Sequence, residues 1–218
     1  MVVRKRDRTR KQLLMAAQEI LLEHGFPGLS INTLTEKAEM ALGTFYNYFR
    51  TKEEVADAVV SLILSVYHRL LEEATEGVED LDEIVAISVR QTMHFIKPQS
   101  ELGKLLFASN IPFTNFVVSS RLRFVEDARK GVETGVFKYA NEQVAVTMIV
   151  GGMMGCMMDR FLGLLDDDAV PFVTRQILSI LGVEDDRAEF LALKPIKLVD
   201  APELPLSAVE FLEPLVSG

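Results

Sequence analysis

Apolar residues recur along the chain at spacings of three and four residues, whereas alternating apolar and polar runs are scarce. This periodicity is typical of amphipathic helices, each of which turns one face towards a core. The predicted helices span, in order, about 9–25, 31–38, 42–49, 51–74, 80–97, 101–109, 116–137, 141–165 and 171–182. The sequence therefore predicts an all-α fold.

Local capping signals set several of the predicted helix ends. Thr9 with Gln12, and Thr51 with Glu54, have the spacing of a capping box, in which two side chains satisfy free amides of the first turn. Ser30 is predicted to cap the short second helix.

The last part of the chain has a different character. Prolines interrupt it at Pro195, Pro202, Pro205 and Pro214, and apolar residues alternate between them. We therefore predict an extended tail over residues 183–218 that docks on the body of the protein.

Residues 30–49, SINTLTEKAEMALGTFYNYF, predict two helices of about eight residues joined by a turn of three or four residues. Helices this short are not stable alone in water, so they must pack against the first and fourth helices. The side chains that can supply this packing are Ile31, Leu34, Ala38, Met40, Phe45 and Phe49. The opposite face of the third helix then carries Gly43, Thr44, Tyr46, Asn47 and Tyr48. This arrangement is typical of a helix-turn-helix that places one helix in a DNA groove.

The residue types on that free face suit DNA. Gly43 permits close approach of the backbone, Thr44 can contact a base edge or a thymine methyl group, and Asn47 can pair with adenine. Tyr46 and Tyr48 carry hydroxyl groups that can reach phosphate. The alternative is an ordinary aromatic core, but Tyr-Asn-Tyr within one turn is too polar for three buried positions.

Charge is distributed unevenly along the chain. The net charge of −9 argues against a generic nucleic-acid binder, yet residues 1–55 carry +2 and residues 56–218 carry −11. Six basic residues lie within the first eleven positions and form a basic arm that favours local attraction to phosphates. Lys52 lies in the first turn of the fourth helix, where the helix dipole also favours phosphate.

The stretch from Thr9 to Val59 resembles the DNA-binding domain of the TetR (tetracycline repressor) family. The matching pieces are RKQLLMAAQEILLEHGFPGLSINTLTEKA and LGTFYNYFRTKEEV. The rest of the chain resembles the family only in its helical layout. The resemblance implies an N-terminal three-helix DNA-binding domain over 7–55 and a helical ligand-binding and dimerisation domain over 56–182, followed by the tail.

The resemblance also implies roles for individual residues. It implies that Thr44, Tyr46 and Tyr48 face DNA and that Ser30, Thr33 and Lys52 lie near phosphates. With Leu42, Gly43 and Asn47 of the third helix, these residues form the predicted DNA site.

Three positions depart from the family pattern. Glu39 occupies a turn position where glycine is common, and Ala41 replaces a common serine cap, a change that can cost ~1 kcal/mol of local helix stability. Leu42 stands where a basic residue is frequent, so it alters the expected base preference.

A glycine-rich segment, Gly151–Gly155, lies in a predicted helix that has almost no charge. Small residues four positions apart allow two helices to approach closely. The resemblance implies that helices 141–165 and 171–182 pair with those of a second copy in a homodimer. One alternative is an ordinary core helix. A membrane span is the other, but the uncharged run 143–158 reaches only about 24 Å, short of the ~30 Å hydrocarbon core.

A cluster of aromatic residues in the middle of the chain predicts a ligand cavity with apolar walls and a few polar groups. The predicted wall is formed by Phe95, Phe107, Phe113, Phe116 and Phe124, and the polar candidates are His94, Asn110 and Arg121. An elongated apolar molecule would fit such a lining. The alternative is a filled core without a cavity.

Other site chemistry finds little support. His24, His68 and His94 lack the spacing of metal ligands, and Cys156 has no recognisable nucleophile context. We therefore expect no catalytic residues, no metal and no cofactor. A lone cysteine and the absence of a visible signal peptide suit the cytoplasm.

These features together predict a transcriptional regulator that binds a palindromic DNA operator as a homodimer and is released by a small apolar ligand. One alternative is an activator, or a regulator without a ligand, that has the same DNA-binding head. Another is a protein-interaction module built on the same scaffold. An all-α enzyme is a third class, which no recognised catalytic motif supports.

Overall fold

The computed structural model describes residues 2–111, 114–201 and 203–206, without the side chains of 2–5, 114–116 and 119. No strand occurs in these ranges, and the predicted all-α fold is confirmed. The α-helices are α1 Val2–Gly28, α2 Ile31–Lys37, α3 Leu42–Phe45, α4 Lys52–Ala74, α5 Leu81–Phe95, α6 Glu101–Gly103, α7 Thr114–Glu133, α8 Glu142–Phe161, α9 Val170–Ile180 and α10 Asp185–Leu193. A π-helical turn, Lys104–Ala108, follows α6, and a 3₁₀ turn, Asp167–Ala169, precedes α9.

The chain divides into two compact units. Of the described residues, the first unit combines 2–67 with two later stretches, one within 104–116 and one at 203–206. The second unit consists of residues 68–103 and 117–201.

The core of the first unit forms around α1, whose apolar residues recur on one face. The buried side chains of α1 include Leu13, Leu14, Ala17 and Leu21, and those from the following helices include Leu34, Phe45, Val55 and Val59. α2 begins as predicted: the Ser30 hydroxyl accepts a hydrogen bond from the Thr33 amide at 3.1 Å, and the Thr33 hydroxyl accepts one from the Ser30 amide at 3.0 Å. This reciprocal cap fixes the start of α2.

Two helices of the first unit differ from the sequence prediction. α1 begins at Val2, seven residues before Thr9, so the predicted Thr9–Gln12 start is wrong. α3 ends at Phe45 and continues only as a turn, in which the amides of Tyr48 and Phe49 donate to the Phe45 carbonyl. Because the N-cap residue is Ala41, α3 receives no side-chain capping hydrogen bond at its start.

The end of α1 is fixed by the stretch 104–111. Gly25 adopts a left-handed φ of 65° that interrupts the helix, and an added Cβ at this position would lie 2.9 Å from the Ser109 carbonyl oxygen. The Phe26 amide donates to that same oxygen at 2.6 Å. Leu105, Ser109 and Ile111 are buried, so this stretch is part of the first unit's core.

The core of the second unit lies among α5, α8, α9 and α10. Its members are Val85, Ala86, Val89, Phe137, Ile149, Ile177, Leu178, Leu181, Val183, Ala188 and Leu191. Gly131 leaves room for Phe137, since an added Cβ would lie 1.9 Å from its ring.

The predicted extended tail is partly wrong, because residues 185–193 form α10. Ala188, Leu191 and Ala192 are buried, and their spacing of three and four residues places them on one face of this helix. The Arg187 guanidinium donates to Asp82 at 2.8 and 2.9 Å and to Asp80 at 3.0 Å. These hydrogen bonds hold the pKa of Asp82 below its ordinary value. The short spacing between Gly182 and Pro195 hid a helix of only nine residues.

α8 is 20 residues long and apolar enough, by length and composition alone, to cross a membrane, although a third of its most apolar window is buried. It contributes Ile149 to the core of the second unit. Core helices of soluble proteins also satisfy this criterion, so length and composition do not decide between the two readings.

Candidate nucleic-acid interface

The exposed face of α3 and the turn after it carries most of the predicted DNA site. Leu42, Tyr46 and Asn47 are exposed, with 56% of the Tyr46 surface accessible. A Cβ at Gly43 would meet no protein atom within 4 Å, so the backbone is open there. Thr44 and Tyr48 are half-buried at the edges of this face. The structure thus brings together residues that sequence patterning places on one free face.

Two buried aromatic rings support this face from behind. Phe45 is fully buried and Phe49 nearly so. The Phe45 ring meets the Tyr46 ring edge-on with centroids 5.4 Å apart, and it lies 6.1 Å from the Phe49 ring. Edge-to-face aromatic contacts of this kind add rigidity beyond simple burial. The exposed side chains therefore project from a fixed base.

Ser30 and Thr33 lie at the start of α2, where both hydroxyls already cap the helix. The Thr33 hydroxyl also donates to the Gly28 carbonyl at 3.2 Å. A phosphate at this position would meet the first amides of α2 and a hydroxyl pair that is held in place. Their predicted role near phosphate stays a prediction.

Lys52 lies at the start of α4, with its ammonium group 4.4 Å from the centre of the Phe26 ring. The first turn of α4 is closed by Glu54, whose carboxylate accepts from the Arg50 amide at 2.6 Å, while the Glu54 amide donates to the Thr51 hydroxyl at 3.2 Å. The Thr51–Glu54 capping signal is therefore used, with the carboxylate one residue further back than the standard box. Since Phe26 restrains the lysine, its charge stays at this helix end.

Arg10 is a candidate that sequence reasoning did not single out. Its guanidinium lies 5.4 Å from the centre of the Phe49 ring, at the end of the turn that follows α3. Burial lowers the pKa of Arg10, and nearby Asp7 partly offsets this effect. The only signal in the sequence is membership of the basic N-terminal arm, which does not reveal which cation reaches Phe49.

The basic residue Lys37 has a different role from the other cations near this face. Its ammonium group forms ion pairs with Glu19 at 3.0 Å and Glu23 at 3.3 Å. The hydrogen bond to Glu19 chiefly raises the pKa of Lys37. These pairs tie α2 to α1 and leave less of this charge for DNA.

The predicted ligand residues have partners or burial of their own. In the second unit, Phe95 is buried, and Phe124 packs against the core. His94 Nε2 lies 3.3 Å from Asp200 Oδ1, and Arg121 donates to the Thr147 hydroxyl at 3.0 Å. In the first unit, Phe107 is half-buried, and Asn110 is exposed with a left-handed φ of 57°. Phe113 and the side chain of Phe116 lie outside the described residues, and the cavity stays a prediction.

The predicted dimer helices, α8 and α9, present exposed apolar and small residues. Val144 and Met148 of α8 are exposed, and Cβ atoms added at Gly151, Gly152 and Gly155 would meet nothing within 4 Å. Phe172 of α9 is 71% exposed. Exposed apolar patches of this kind mark interaction sites in soluble proteins.

Comparison with known families covers both parts of the chain. Residues 13–59 match the model of bacterial regulatory proteins of the tetR family. Residues 80–194 match the C-terminal domain model described as tetracyclin repressor-like.

Curated relatives match over part of the chain. The transcriptional repressor NemR of Escherichia coli K12 is 35% identical over 71 residues, which are 33% of this chain and 36% of that protein. The chain therefore matches only about a third of the length of this relative. The repressor KstR2 of Mycolicibacterium smegmatis is 23% identical over 141 residues, covering 59% of this chain and 67% of that protein.

Solved structures match over most of the chain. The structure of RolR in complex with the ligand resorcinol has a TM-score of 0.63 and 25% identity, covering 89% of this chain and 97% of that one. A TetR family protein of Vibrio parahaemolyticus, described as a possible transcriptional regulator, has a TM-score of 0.55 and 26% identity, covering 78% and 97%. The fold described above thus recurs in these solved structures.

Proposed function

The chain belongs to the tetR family of bacterial regulatory proteins, and from that premise we propose that it is a DNA-binding transcriptional regulator that acts as a repressor. The observation that carries the proposal is the exposed face of α3. Tyr46 and Asn47 project there from a turn that the buried rings of Phe45 and Phe49 hold in place. A polar face on a rigid support is what the readout of base edges requires.

We propose that the functional form is a homodimer joined through α8 and α9. One reading head contacts too few bases for specific recognition, whereas two heads about one helical turn apart would read a palindrome. The exposed residues Val144, Met148 and Phe172 supply apolar surface, and the glycines of α8 permit close helix approach.

A small ligand is proposed to release the protein from DNA. Support comes from RolR, whose structure contains resorcinol, and from relatives that are named repressors. Phe95 and Phe124 are the apolar candidates of the second unit, and a ligand would have to displace or share the partners of His94 and Arg121. The ligand shifts the equilibrium only by its differential affinity for the free and DNA-bound states.

The direct test is selection of double-stranded DNA from a random library by the wild-type protein, followed by titration of the selected duplex. Lys52→Ala should weaken binding evenly across sequences and lower the salt slope by about one unit, because it removes one phosphate contact. Lys97→Ala is the matched control, since it removes the same charge from an exposed position of the second unit. Equal salt slopes for both variants would show that the start of α4 does not touch DNA.

The outcome of the selection separates the alternatives. Failure to enrich any sequence would favour a protein-interaction module over a DNA-binding regulator. If a sequence is enriched, a reporter gene under its control distinguishes repression from activation. Release of the duplex by small aromatic or lipophilic compounds then tests the ligand.

A further inference from the structure

The segment after α10 lies outside both family matches, the later of which ends at residue 194. Two of its described residues nevertheless belong to the core of the first unit. Leu204 and Leu206 are buried, with only 2% of the Leu206 surface accessible, and this stretch is part of the first unit. The DNA-binding unit of this chain therefore contains an element that the family pattern does not supply.

A buried glutamine of α1 receives this element. Gln18 is only 1% exposed and lies among the apolar residues of the buried face. Its Oε1 accepts a hydrogen bond from the Leu206 amide at 2.9 Å, and its Nε2 donates to the Leu14 carbonyl at 3.3 Å. A buried side-chain amide without hydrogen-bond partners is strongly unfavourable. The backbone amide of Leu206 supplies the partner that the buried Gln18 oxygen requires.

In the second unit, another buried glutamine hydrogen-bonds the backbone of the preceding part of the segment. Gln91 is fully buried, its Nε2 donates to the Val199 carbonyl at 2.6 Å, and its Oε1 accepts from the Val199 amide at 2.9 Å. Arg90 also donates to the carbonyl of Lys194. Side chains of the folded body therefore hold the segment at Lys194, Val199 and Leu206.

α1 also supports the exposed face of α3 and the turn after it, which we call the reading face. Glu19, adjacent to Gln18, forms the ion pair with Lys37 that ties α2 to α1. Arg10, two turns earlier, lies over the Phe49 ring at the end of the α3 region. A change in the position of α1 would therefore be passed to both helices of the helix-turn-helix.

We propose that Gln18 is a positioning residue for DNA binding, through which residues 203–206 hold α1 in the geometry that the reading face needs. The proposal rests on the proposed DNA-binding function. It assigns no DNA contact to Gln18 or to the C-terminal segment. Both act through α1 on the set of residues that reads DNA.

The experiment compares full-length protein, a chain ending at Asp200 and a chain ending at Ser207, on the duplex selected by the wild type. The chain ending at Ser207 keeps the docked segment and should bind like the wild type. The chain ending at Asp200 should bind about tenfold more weakly at a temperature far below its unfolding midpoint, while remaining helical and dimeric. Wild-type affinity at that temperature, whether or not the midpoint falls, would overturn the proposal.

A second pair of variants decides the matter if the shorter chain fails to fold. Gln18→Met conserves volume but removes both the acceptor for the Leu206 amide and the donor to the Leu14 carbonyl. Loss of the hydrogen bond to Leu206 should weaken DNA binding about fivefold. Gln12→Met, at an exposed position of the same helix, should have no effect. Equal affinities for the two variants would overturn the proposal.

Combining Gln18→Met with the chain ending at Asp200 separates a shared effect on DNA binding from two independent losses of stability. In the chain ending at Asp200, Gln18→Met should weaken DNA binding no further, since its partner is already gone. Additive losses would show that Gln18 and the segment act separately. If the wild type binds DNA and Lys52→Ala weakens it while the tail variants do not, this inference alone fails; if the wild type enriches no DNA, the proposed function fails.

Discussion

Gly25 is a position at which a single added methyl group should clearly destabilise the first unit. Its φ of 65° is unfavourable for any residue with a Cβ, and in Gly25→Ala this left-handed conformation costs about 1–2 kcal/mol. The new Cβ would also lie 2.9 Å from the Ser109 carbonyl oxygen. Moving that oxygen away weakens its hydrogen bond with the Phe26 amide, worth ~1 kcal/mol. We expect a total loss of about 2–3 kcal/mol.

Urea unfolding followed by tyrosine fluorescence measures this loss. The chain has no tryptophan, and three of its four tyrosines, Tyr46, Tyr48 and Tyr67, belong to the first unit. Gly43→Ala is the control, since its Cβ meets no protein atom and should leave stability nearly unchanged. A Gly25→Ala midpoint equal to the wild type would refute the reasoning, because the Ser109 carbonyl would then not be a fixed neighbour.

Three further changes test other parts of the structure. Thr44→Val should relax discrimination at one or two base pairs without changing the salt slope, which titration of mutated duplexes would reveal; loss of affinity for every duplex alike would contradict a base contact. Gly152→Leu and Gly155→Leu should separate the dimer in light scattering, because bulky side chains prevent close helix approach; dimers in both variants would place the interface elsewhere. Asp82→Asn should destabilise the protein at neutral pH, and the difference from wild type should shrink in acid. The reason is that the hydrogen bonds from Arg187 lower the pKa of Asp82 in the folded state. The ion pair therefore stabilises the fold fully above the pKa that Asp82 has in the unfolded chain, and this stabilisation is lost as pH falls through the lower pKa of Asp82 in the folded protein. A stability difference that does not depend on pH would refute the role of the ion pair.

Local signals in the sequence were sufficient for most of the helices. Ser30 marks the start of α2 because its hydroxyl caps an amide three residues on, and such a pattern is readable without any tertiary structure. Asn141 caps α8 in the same way. α10 was missed because it is short and lies close to a proline, although its buried residues keep helical spacing.

The candidate site also has a part that local sequence signals predict and a part that they do not. The exposed face of α3 could be predicted because Phe45 and Phe49 alternate with polar neighbours at helical spacing. The supports of that face could not, since they depend on distant partners. Gln18 reads as one more polar residue of α1, and its acceptor is satisfied by an amide 188 positions away. The Phe26 amide likewise pairs with the carbonyl of Ser109 from another part of the sequence.

The assembly of the first unit from three separate stretches has a consequence during synthesis. Domains near the N-terminus commonly fold while the rest of the chain is still being made. Here the partner of Phe26 is translated more than 80 residues later, and the partner of Gln18 more than 180 residues later. A ribosome-bound chain from which Leu206 has not yet emerged lacks the partner of Gln18. Under the proposed coupling, a nascent chain should therefore bind its DNA target more weakly until its translation has passed that point.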